Sequence, residues 1–149
     1  LKDKHINRAV IYNPGQGYVP CAVSKYTKIE QIDLISRDLQ ALRISKINLI
    51  LNGYPESHIF LFHQVGVLQT EAVPADIVIS ILVDKDGPIV HAAIIQDVVL
   101  QLSDQGTVIL ASSSTAIARI EKLIRSKKLF RVKKRQRLKG NSVLIVVHK

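Results

Sequence analysis

The chain has 149 residues, of which 47% are apolar and 22% are charged, and its formal net charge is +9. An apolar fraction of this size excludes global disorder, and the length fits one domain or two small ones that share a core. The single cysteine, Cys21, excludes an internal disulfide framework and favours a reducing compartment. We therefore expect a cytoplasmic protein, or one associated with the nucleoid or nucleus.

The first third of the chain predicts two strands and a helix. Residues 9–12 are apolar and end at Asn13-Pro14-Gly15-Gln16, which has the pattern of a type II turn. Residues 19–26 then predict a returning strand. The sequence Thr27-Lys28-Ile29-Glu30 has the pattern of a capping box, and isoleucines three residues apart follow it. These features predict a helix over residues 27–44.

The middle of the chain alternates between β-prone and helical patterns. We expect a short strand at residues 47–51, a central strand at 59–68 and another strand at 76–83. Pro88 stands at a favoured first helical position, and the apolar residues after it predict a largely buried helix to about residue 103.

The last third predicts a strand, a helix and a hairpin. Residues 107–111 are β-prone, and four consecutive Ser or Thr residues at 112–115 offer caps for a helix that ends near residue 128. Residues 129–138 and 142–148 predict paired strands. The second of these strands is apolar throughout, so we expect it in the sheet interior and the basic first strand at the sheet edge.

The net charge is concentrated in residues 119–139, which hold eleven Lys or Arg residues and one acid, Glu121. A basic patch of this density usually has a polyanionic partner, most often nucleic acid. Aromatic residues are scarce beside it, which favours duplex DNA or structured RNA over an unstructured single strand. The alternative partner is an acidic protein in a larger complex.

Residues 112–130, with the sequence SSSTAIARIEKLIRSKKLF, resemble the recognition helix and wing entry of winged-helix DNA-binding domains. The resemblance implies that the start of this helix approaches base edges and that the following hairpin touches phosphates. The second helix of that family has no counterpart, because residues 107–111 are β-prone. The nucleic-acid-binding residues predicted by charge and by this resemblance are Ser113, Ser114, Thr115, Arg119, Lys122, Arg125, Lys128, Arg131, Lys133, Lys134, Arg135, Arg137 and Lys139.

Two fold predictions follow from these elements. The first is an α/β (α+β) protein with a mixed sheet, three main helices and a C-terminal basic helix plus β-hairpin. It is divided into a mixed part, residues 1–86, and a basic winged-helix-like part, residues 87–149. The second is one continuous α/β sandwich over residues 1–149. No segment is apolar enough to cross a membrane, so we expect no membrane insertion.

Three segments with the composition of a chemical site are interpreted as structural. The loop at residues 13–18 resembles a phosphate loop, but a predicted strand follows it rather than a helix. Asp84-Lys85-Asp86-Gly87 lacks the spacing of a calcium loop and predicts a turn with a helix cap. His58 and His63 are five residues apart on a predicted strand and so project to opposite faces. We therefore predict no metal and no cofactor.

These observations favour a non-catalytic nucleic-acid-binding module, with duplex DNA as the expected ligand. The first alternative is an assembly protein whose basic C-terminal region docks an acidic protein or RNA. The second alternative is a metal-dependent nuclease that uses Asp76 or Asp84, which the sequence supports poorly because no acid–x–Lys pair lies on a neighbouring strand. The oligomeric state is not determined by these patterns.

Overall fold

The strand β1 (His5–Tyr12) is hydrogen-bonded in parallel to two other strands, β2 (Lys28–Ser36) and β4 (Ala75–Ile81). In the computed structural model, which describes residues 5–65 and 73–148, these strands form the centre of a seven-stranded sheet. Beyond β2 lies β3 (Ile59–His63), and beyond β4 lies β5 (Leu102–Ser113), both in parallel pairing.

Two further strands close the sheet on the β5 side. There β7 (Asn141–Val147) pairs antiparallel with β5, and β6 (Arg131–Leu138) pairs antiparallel with β7. The strand order is therefore β3-β2-β1-β4-β5-β7-β6. Because two antiparallel pairings follow one another, β6 runs in the same direction as β5. The prediction of an interior apolar strand and a basic edge strand is confirmed.

Helices cover both faces of the sheet. On one face, α1 (Tyr18–Tyr26) and α2 (Leu39–Leu51) contribute to a core with side chains of β1, β2 and β4. On the other face, α3 (Gly87–Gln101) and α4 (Ser114–Lys127) pack against β1, β4, β5 and β7. A mixed α/β fold is thus confirmed, and the described residues form four α-helices. The division at residue 86 stays a prediction, and strands from both sides of it join the same sheet.

The predictions for residues 19–51 are wrong in three places. Residues 19–26 lie in α1 rather than in a strand. The predicted helix at 27–44 is instead β2 followed by the start of α2, and the predicted strand at 47–51 is the end of α2. The hydroxyl of Thr27, expected to begin a helix, donates to the Val23 carbonyl oxygen at 2.6 Å and so ends α1.

The error over β2 has a physical cause. This strand is covered on both faces, and Ile32, Asp33, Leu34 and Ile35 are all buried, so it lacks the alternation that identifies a half-exposed strand. Its isoleucines fall three residues apart and match the period of a helix instead. The helix cap that the sequence does contain is Asp38, whose carboxylate accepts from the Ala41 amide at 3.0 Å and begins α2.

The second half of the chain follows its predictions more closely. The strand at 76–83, the helix from Pro88 and the hairpin are found as β4, α3 and β6–β7. The prediction that this helix is largely buried is wrong, because its outer face exposes Ile89 and Leu100. The prediction for residues 59–68 is correct only in type, because β3 ends at His63 and is an edge strand; residues 66–68 lie outside the described residues. The winged-helix prediction is wrong. Residues 107–111 belong to the twelve-residue strand β5, which leaves no second helix before α4.

One buried ion pair joins β1 to β2. The guanidinium of Arg8 donates to Asp33 Oδ2 from Nε at 2.8 Å and from Nη2 at 2.6 Å, and both side chains are at least 95% buried. Gln31 donates to the second oxygen of Asp33 at 2.8 Å, and Arg8 also donates to the Val73 carbonyl. Each charge is therefore satisfied, and removal of either partner leaves the other unpaired in the interior.

We predict that Asp33→Ala lowers the free energy of unfolding by about 3–5 kcal/mol, because it strands the Arg8 guanidinium. The matched control is Glu30→Ala on the same strand. Glu30 pairs with His5 on the surface, where both side chains are at least 60% exposed, and its loss is expected to change stability by less than about 0.5 kcal/mol. Urea unfolding checks both values. A cost below about 1 kcal/mol for Asp33→Ala would contradict the role given to this pair.

Candidate functional site

The strand order reverses at β1. From β1 the chain passes to β2 and then β3 on one side, and it returns to β4 on the other side of β1. The segments that leave β1 and β4 therefore diverge toward opposite faces of the sheet, α1 and α2 on one face and α3 on the other. In open parallel sheets, ligands bind in the crevice that such a reversal opens at the carboxyl ends of the strands.

The turn after β1 is held in one conformation by neighbouring elements. Gly17, at the start of α1, has φ of 93°, and a Cβ built there would lie 2.9 Å from the Cα atom of Ser45 on α2. Glycine is therefore required for this close approach. The Ser45 hydroxyl donates to the Gly15 carbonyl at 3.0 Å, and the Asn48 amide donates to the Gln16 carbonyl at 2.6 Å.

Asn13 fastens the same turn to both neighbours of β1. Its backbone amide donates to the Ile35 carbonyl of β2 at 2.9 Å, and its side chain donates to the Ile81 carbonyl of β4 at 3.0 Å. A strand, a glycine turn and a helix therefore follow one another here, as they do at nucleotide-binding turns. A strand was predicted after this loop, and that prediction argued against a phosphate-binding turn. It is wrong, because the helix α1 follows the loop.

A cleft of about 230 Å³ opens at the reversal point. One part of its wall is aliphatic and comes largely from α3. The aliphatic residues are Val65, Ile89, Val90, Ala93 and Ile94. The other part is polar and comes from the ends of β1 and β2 and from both ends of α3. The polar residues are Tyr12, Asn13, Ser36, Arg37, Gln64, Asp86 and Asp97.

The charge balance of the cleft is opposite to that of the chain. Its wall has two carboxylates, Asp86 and Asp97, and one guanidinium, Arg37, although the whole chain carries +9. Arg37 pairs with Asp86 at 2.9 Å, which leaves the charge of Asp97 as the excess. A ligand with a positive centre is favoured here, and a second anion is disfavoured.

An unpaired hydroxyl lies in the same wall. Tyr12 is 97% buried, and its hydroxyl makes no hydrogen bond to the described residues. Burial, and secondarily the charge of Asp97, raises the pKa of this hydroxyl, so it stays a neutral donor. Ser80, the register partner of Tyr12 on β4, is also buried with an unpaired hydroxyl. Leaving a buried polar group unpaired costs about 1–3 kcal/mol, so each requires an explanation such as a ligand.

A recess lies at the same edge of the sheet as the cleft, the edge where the parallel strands have their carboxyl ends. It is formed between the ends of β4, β5 and β7. It has a volume of about 370 Å³, and its polar residues are Asp84, Ser112, Ser113, Asn141 and Ser142. The Ser112 hydroxyl donates to Asp84 Oδ1 at 2.9 Å. Hydrogen bonds from Ser113 and Ser112 lower the pKa of Asp84, so its carboxylate is ionised at neutral pH.

The turn at residues 84–87 matches its prediction only in part. Residues Asp84–Asp86 form a single 3₁₀ turn before α3, as a turn was expected. Asp86 holds the capping position of α3, but its side chain makes no cap hydrogen bond and pairs with Arg37 instead. The two carboxylates thus face different sites, Asp86 the cleft and Asp84 the recess. Within residues 5–65 and 73–148, no three His, Cys, Asp or Glu side chains are grouped to bind a metal.

The residues predicted to contact DNA bases are already engaged by the sheet. The Ser113 hydroxyl accepts from the Ala116 amide at 3.2 Å and caps α4. The Ser114 hydroxyl is 2.9 Å from that of Ser142, and the Ser114 carbonyl accepts from Arg135 at 3.3 Å. Thr115 is exposed. Because the start of α4 is fixed against β6 and β7, it cannot enter a major groove as a recognition helix does.

The predicted cations lie on α4 and along β6. Eight of them are exposed and form no ion pair with another described residue. These are Arg119, Lys122, Lys128, Arg131, Lys133, Lys134, Arg137 and Lys139. The remaining two, Arg125 and Arg135, both bind Glu121, at 2.8 and 3.1 Å. Their hydrogen bonds, that from Arg125 above all, lower the pKa of Glu121. Their role in binding stays a prediction.

Several solved structures that superpose on the chain are methyltransferases. The chain superposes on a ribosomal protein L11 methylase from Lactobacillus delbrueckii subsp. bulgaricus with a TM-score of 0.82 and 16% identity, over 98% of this chain and 71% of the other. An N-methyltransferase from Bradyrhizobium japonicum, in complex with S-adenosyl-L-homocysteine, gives 0.76 and 12%, over 97% and 79%. An rRNA methylase from Streptococcus thermophilus gives 0.74 and 13%, over 99% and 89%.

At these identities the likeness shows the fold alone, an α/β fold that the chain shares with these methyltransferases. No protein-family model matches the chain, and no curated protein matches it by sequence. The predicted function, a non-catalytic winged-helix module for duplex DNA, is wrong, because the fold it requires is absent and the similar structures are enzymes. None of the described helices has the length and apolarity needed to span a bilayer.

The cleft was not predicted from the sequence, although some signals were present. The glycine pair at residues 15 and 17 directly after an apolar strand was one of them. The N-terminus of α1 lacks the Ser, Thr, Asp or Asn cap that would have indicated a helix there, because Gly17 occupies that place. Asp97 gave no signal, since its position depends on how α3 packs over β1.

We predict that Tyr12→Phe raises the free energy of unfolding of the ligand-free protein by about 1 kcal/mol, because it removes an unpaired buried hydroxyl. The matched control is Tyr54→Phe. The Tyr54 hydroxyl donates to the Ile29 carbonyl at 3.1 Å, so its loss is expected to destabilise by about 1 kcal/mol. Thermal unfolding distinguishes the opposite signs. A destabilised Tyr12→Phe variant would show that this hydroxyl has a partner within the protein.

Proposed function

We propose that the chain is a methyltransferase domain that binds S-adenosylmethionine in the cleft between α3 and the carboxyl ends of β1 and β2. The observation that carries the proposal is the position of this cleft, at the point of strand reversal in a sheet that superposes on that of a methyltransferase. The ligand in one similar structure, S-adenosyl-L-homocysteine, is the product that such a reaction leaves.

The residues of the cleft fit this cofactor in chemistry. S-adenosylmethionine combines an apolar adenine, a ribose with two hydroxyls, and an amino acid part with a positively charged sulfonium. The aliphatic wall of Ile89, Val90 and Ile94 suits the adenine. The carboxylate of Asp97 is matched to the positive part, and the unpaired Tyr12 hydroxyl can donate to an oxygen or nitrogen of the ligand.

One feature of nucleotide-binding sheets is altered here. In many of them, an acid near the end of the second strand binds the ribose hydroxyls. In this chain the nearest acid, Asp38, accepts the amide of Ala41 as the cap of α2, and Ser36 accepts the amide of Asp38 at 3.1 Å. We therefore assign the ribose to Asp86 and Gln64, two polar side chains of the cleft wall.

When bound, S-adenosylmethionine supplies an electrophilic methyl group to a nucleophilic oxygen, nitrogen or carbon of an acceptor. The chain's own contribution is to orient the two partners, which is the main source of catalysis in such transfers. The turn at Asn13 and Gly17 is fixed by β2, β4 and α2 and so forms a rigid wall. The recess on the other side of the β4 end places the acceptor next to the cleft, and Asp84 there accepts a hydrogen bond from an N–H or O–H of that acceptor.

We expect S-adenosyl-L-homocysteine and S-adenosylmethionine to bind the purified chain, and Asp97→Asn to weaken S-adenosylmethionine about tenfold, which corresponds to about 1.4 kcal/mol. The loss should be smaller for S-adenosyl-L-homocysteine, which lacks the sulfonium charge. Asp104→Asn, on the exposed part of β5, removes the same charge outside the cleft and should leave both affinities unchanged. Isothermal titration calorimetry measures the six affinities, for both ligands with the unaltered chain and with each variant. The proposal fails if neither compound binds, or if the two variants behave alike.

A further inference from the structure

The direction of β6 brings part of the basic surface to the edge that holds the cleft and the recess. Since β6 runs in the same direction as β5, its carboxyl end lies at the same end of the sheet as the carboxyl ends of β4 and β5. The turn from β6 to β7 is fastened there, because the Ser114 amide donates to the Gly140 carbonyl at 2.9 Å. Asn141, the first residue after this turn, lines the recess.

The cations at this edge are free to bind a ligand. Arg137 and Lys139, at the end of β6 and in the turn, are exposed and have no ion pair with a described residue. Lys85, in the turn after β4 on the other side of the recess, is also exposed. The recess is thus flanked by positive charge on two sides, while its floor carries the hydrogen-bonding groups of Asp84, Ser113 and Asn141.

The rest of β6 continues this charge away from the recess. The strand has eight residues, which at about 3.3 Å each gives a row of roughly 26 Å. Lys133 and Lys134 extend the row toward the opposite edge of the sheet, where Lys127 and Lys128 lie at the end of α4. A row of exposed cations along an edge strand suits a chain of phosphates rather than a single anion.

Resting on the proposed function, we infer that the methyl acceptor is a structured RNA with an unpaired base. Its phosphates lie along the cations of β6, and the unpaired base enters the recess beside Asp84. A recess of about 370 Å³ cannot receive a base that is stacked in a duplex. Loops and bulges of RNA present bases that are already unstacked, so no free energy is spent on unstacking them. This favours RNA over duplex DNA.

The recess also suits the edge of a base. Its polar residues offer both acceptors and donors, the carboxylate of Asp84 and the amide of Asn141, which is the combination that base edges require. A membrane surface is a poorer partner, because the basic row contains no exposed aromatic residue to enter the lipid. An acidic protein would complement the charge of the basic row, but it would not account for the recess.

The test compares two pairs of cations that carry the same charge. Arg137→Gln with Lys139→Gln removes two charges beside the recess, and Lys127→Gln with Lys128→Gln removes two charges at the opposite edge. Binding of a fluorescent RNA hairpin with an unpaired loop is measured by anisotropy at several salt concentrations from low to moderate ionic strength. A DNA hairpin of the same sequence and a fully paired RNA serve as competitors.

We expect the pair beside the recess to weaken hairpin RNA binding about tenfold more than the distant pair. Its removal should also reduce the slope of log affinity against log salt by about 1.4, at roughly 0.7 for each phosphate that is no longer neutralised. The looped RNA should bind more tightly than the paired RNA and the DNA hairpin. Equal effects of the two pairs, equal affinity for the DNA hairpin, or no RNA binding at the lowest salt would overturn the inference.

Titration with S-adenosyl-L-homocysteine keeps the two proposals separable. Both double variants lie outside the cleft, so they should bind this ligand as the unaltered chain does, which also shows that they are folded. RNA binding without binding of S-adenosyl-L-homocysteine would overturn the proposed function and leave the RNA surface standing. The reverse result would overturn the RNA surface alone.

Discussion

The parallel pairing of β1 with strands on both of its sides is the constraint from which the other features follow. Parallel strands cannot be joined by tight turns, so each connection must cross a face of the sheet, usually as a helix. Because β2 and β4 lie on opposite sides of β1, the crossovers cover opposite faces and separate at the carboxyl end of β1. The cleft results from that separation. The buried pair of Arg8 and Asp33 fixes β2 beside β1 near the middle of the two strands.

The same constraint explains why charged and polar groups concentrate at one edge. The carboxyl ends of the parallel strands β1, β2, β4 and β5 all open there, and so does the end of β6, which two antiparallel pairings have returned to the same direction. Asp84 and Asp86 lie in one short turn and serve the recess and the cleft respectively. A site for a cofactor and a site for an acceptor can therefore lie side by side without any insertion into the sheet.

The sequence predicted elements well where one face of an element is exposed. The helix α4 has a polar face and a Ser cap, and the β6–β7 hairpin has a basic and an apolar strand, so both were recognised. The secondary structure predicted for β2 and α2 was wrong. In β2 both faces are buried and no alternation remains, and α2 keeps apolar residues such as Ile47 and Leu51 on its exposed side. Once α1 was interpreted as a strand, the glycine turn could not be recognised as part of a site.

The basic surface shows how charge alone underdetermines function. Its density correctly predicted exposed cations, and the acid within it, Glu121, pairs with Arg125 four residues later. The contact of the same carboxylate with Arg135 depends on how α4 lies over β6 and gave no signal in the sequence. Which of the cations lie near a chemical site depends on strand direction, and that became known only with the sheet topology.

The location of bound S-adenosyl-L-homocysteine, measured by amide NMR during a titration of the unaltered chain, tests the proposed cleft most directly. We predict that shifts concentrate at residues 12–17, at Ser36 and Arg37, and along the first half of α3. Residues near Lys127 and Arg131, at the opposite edge of the sheet, should remain unchanged. Shifts confined to that opposite edge, or no shifts at millimolar ligand, would contradict the placement of the site at the strand reversal.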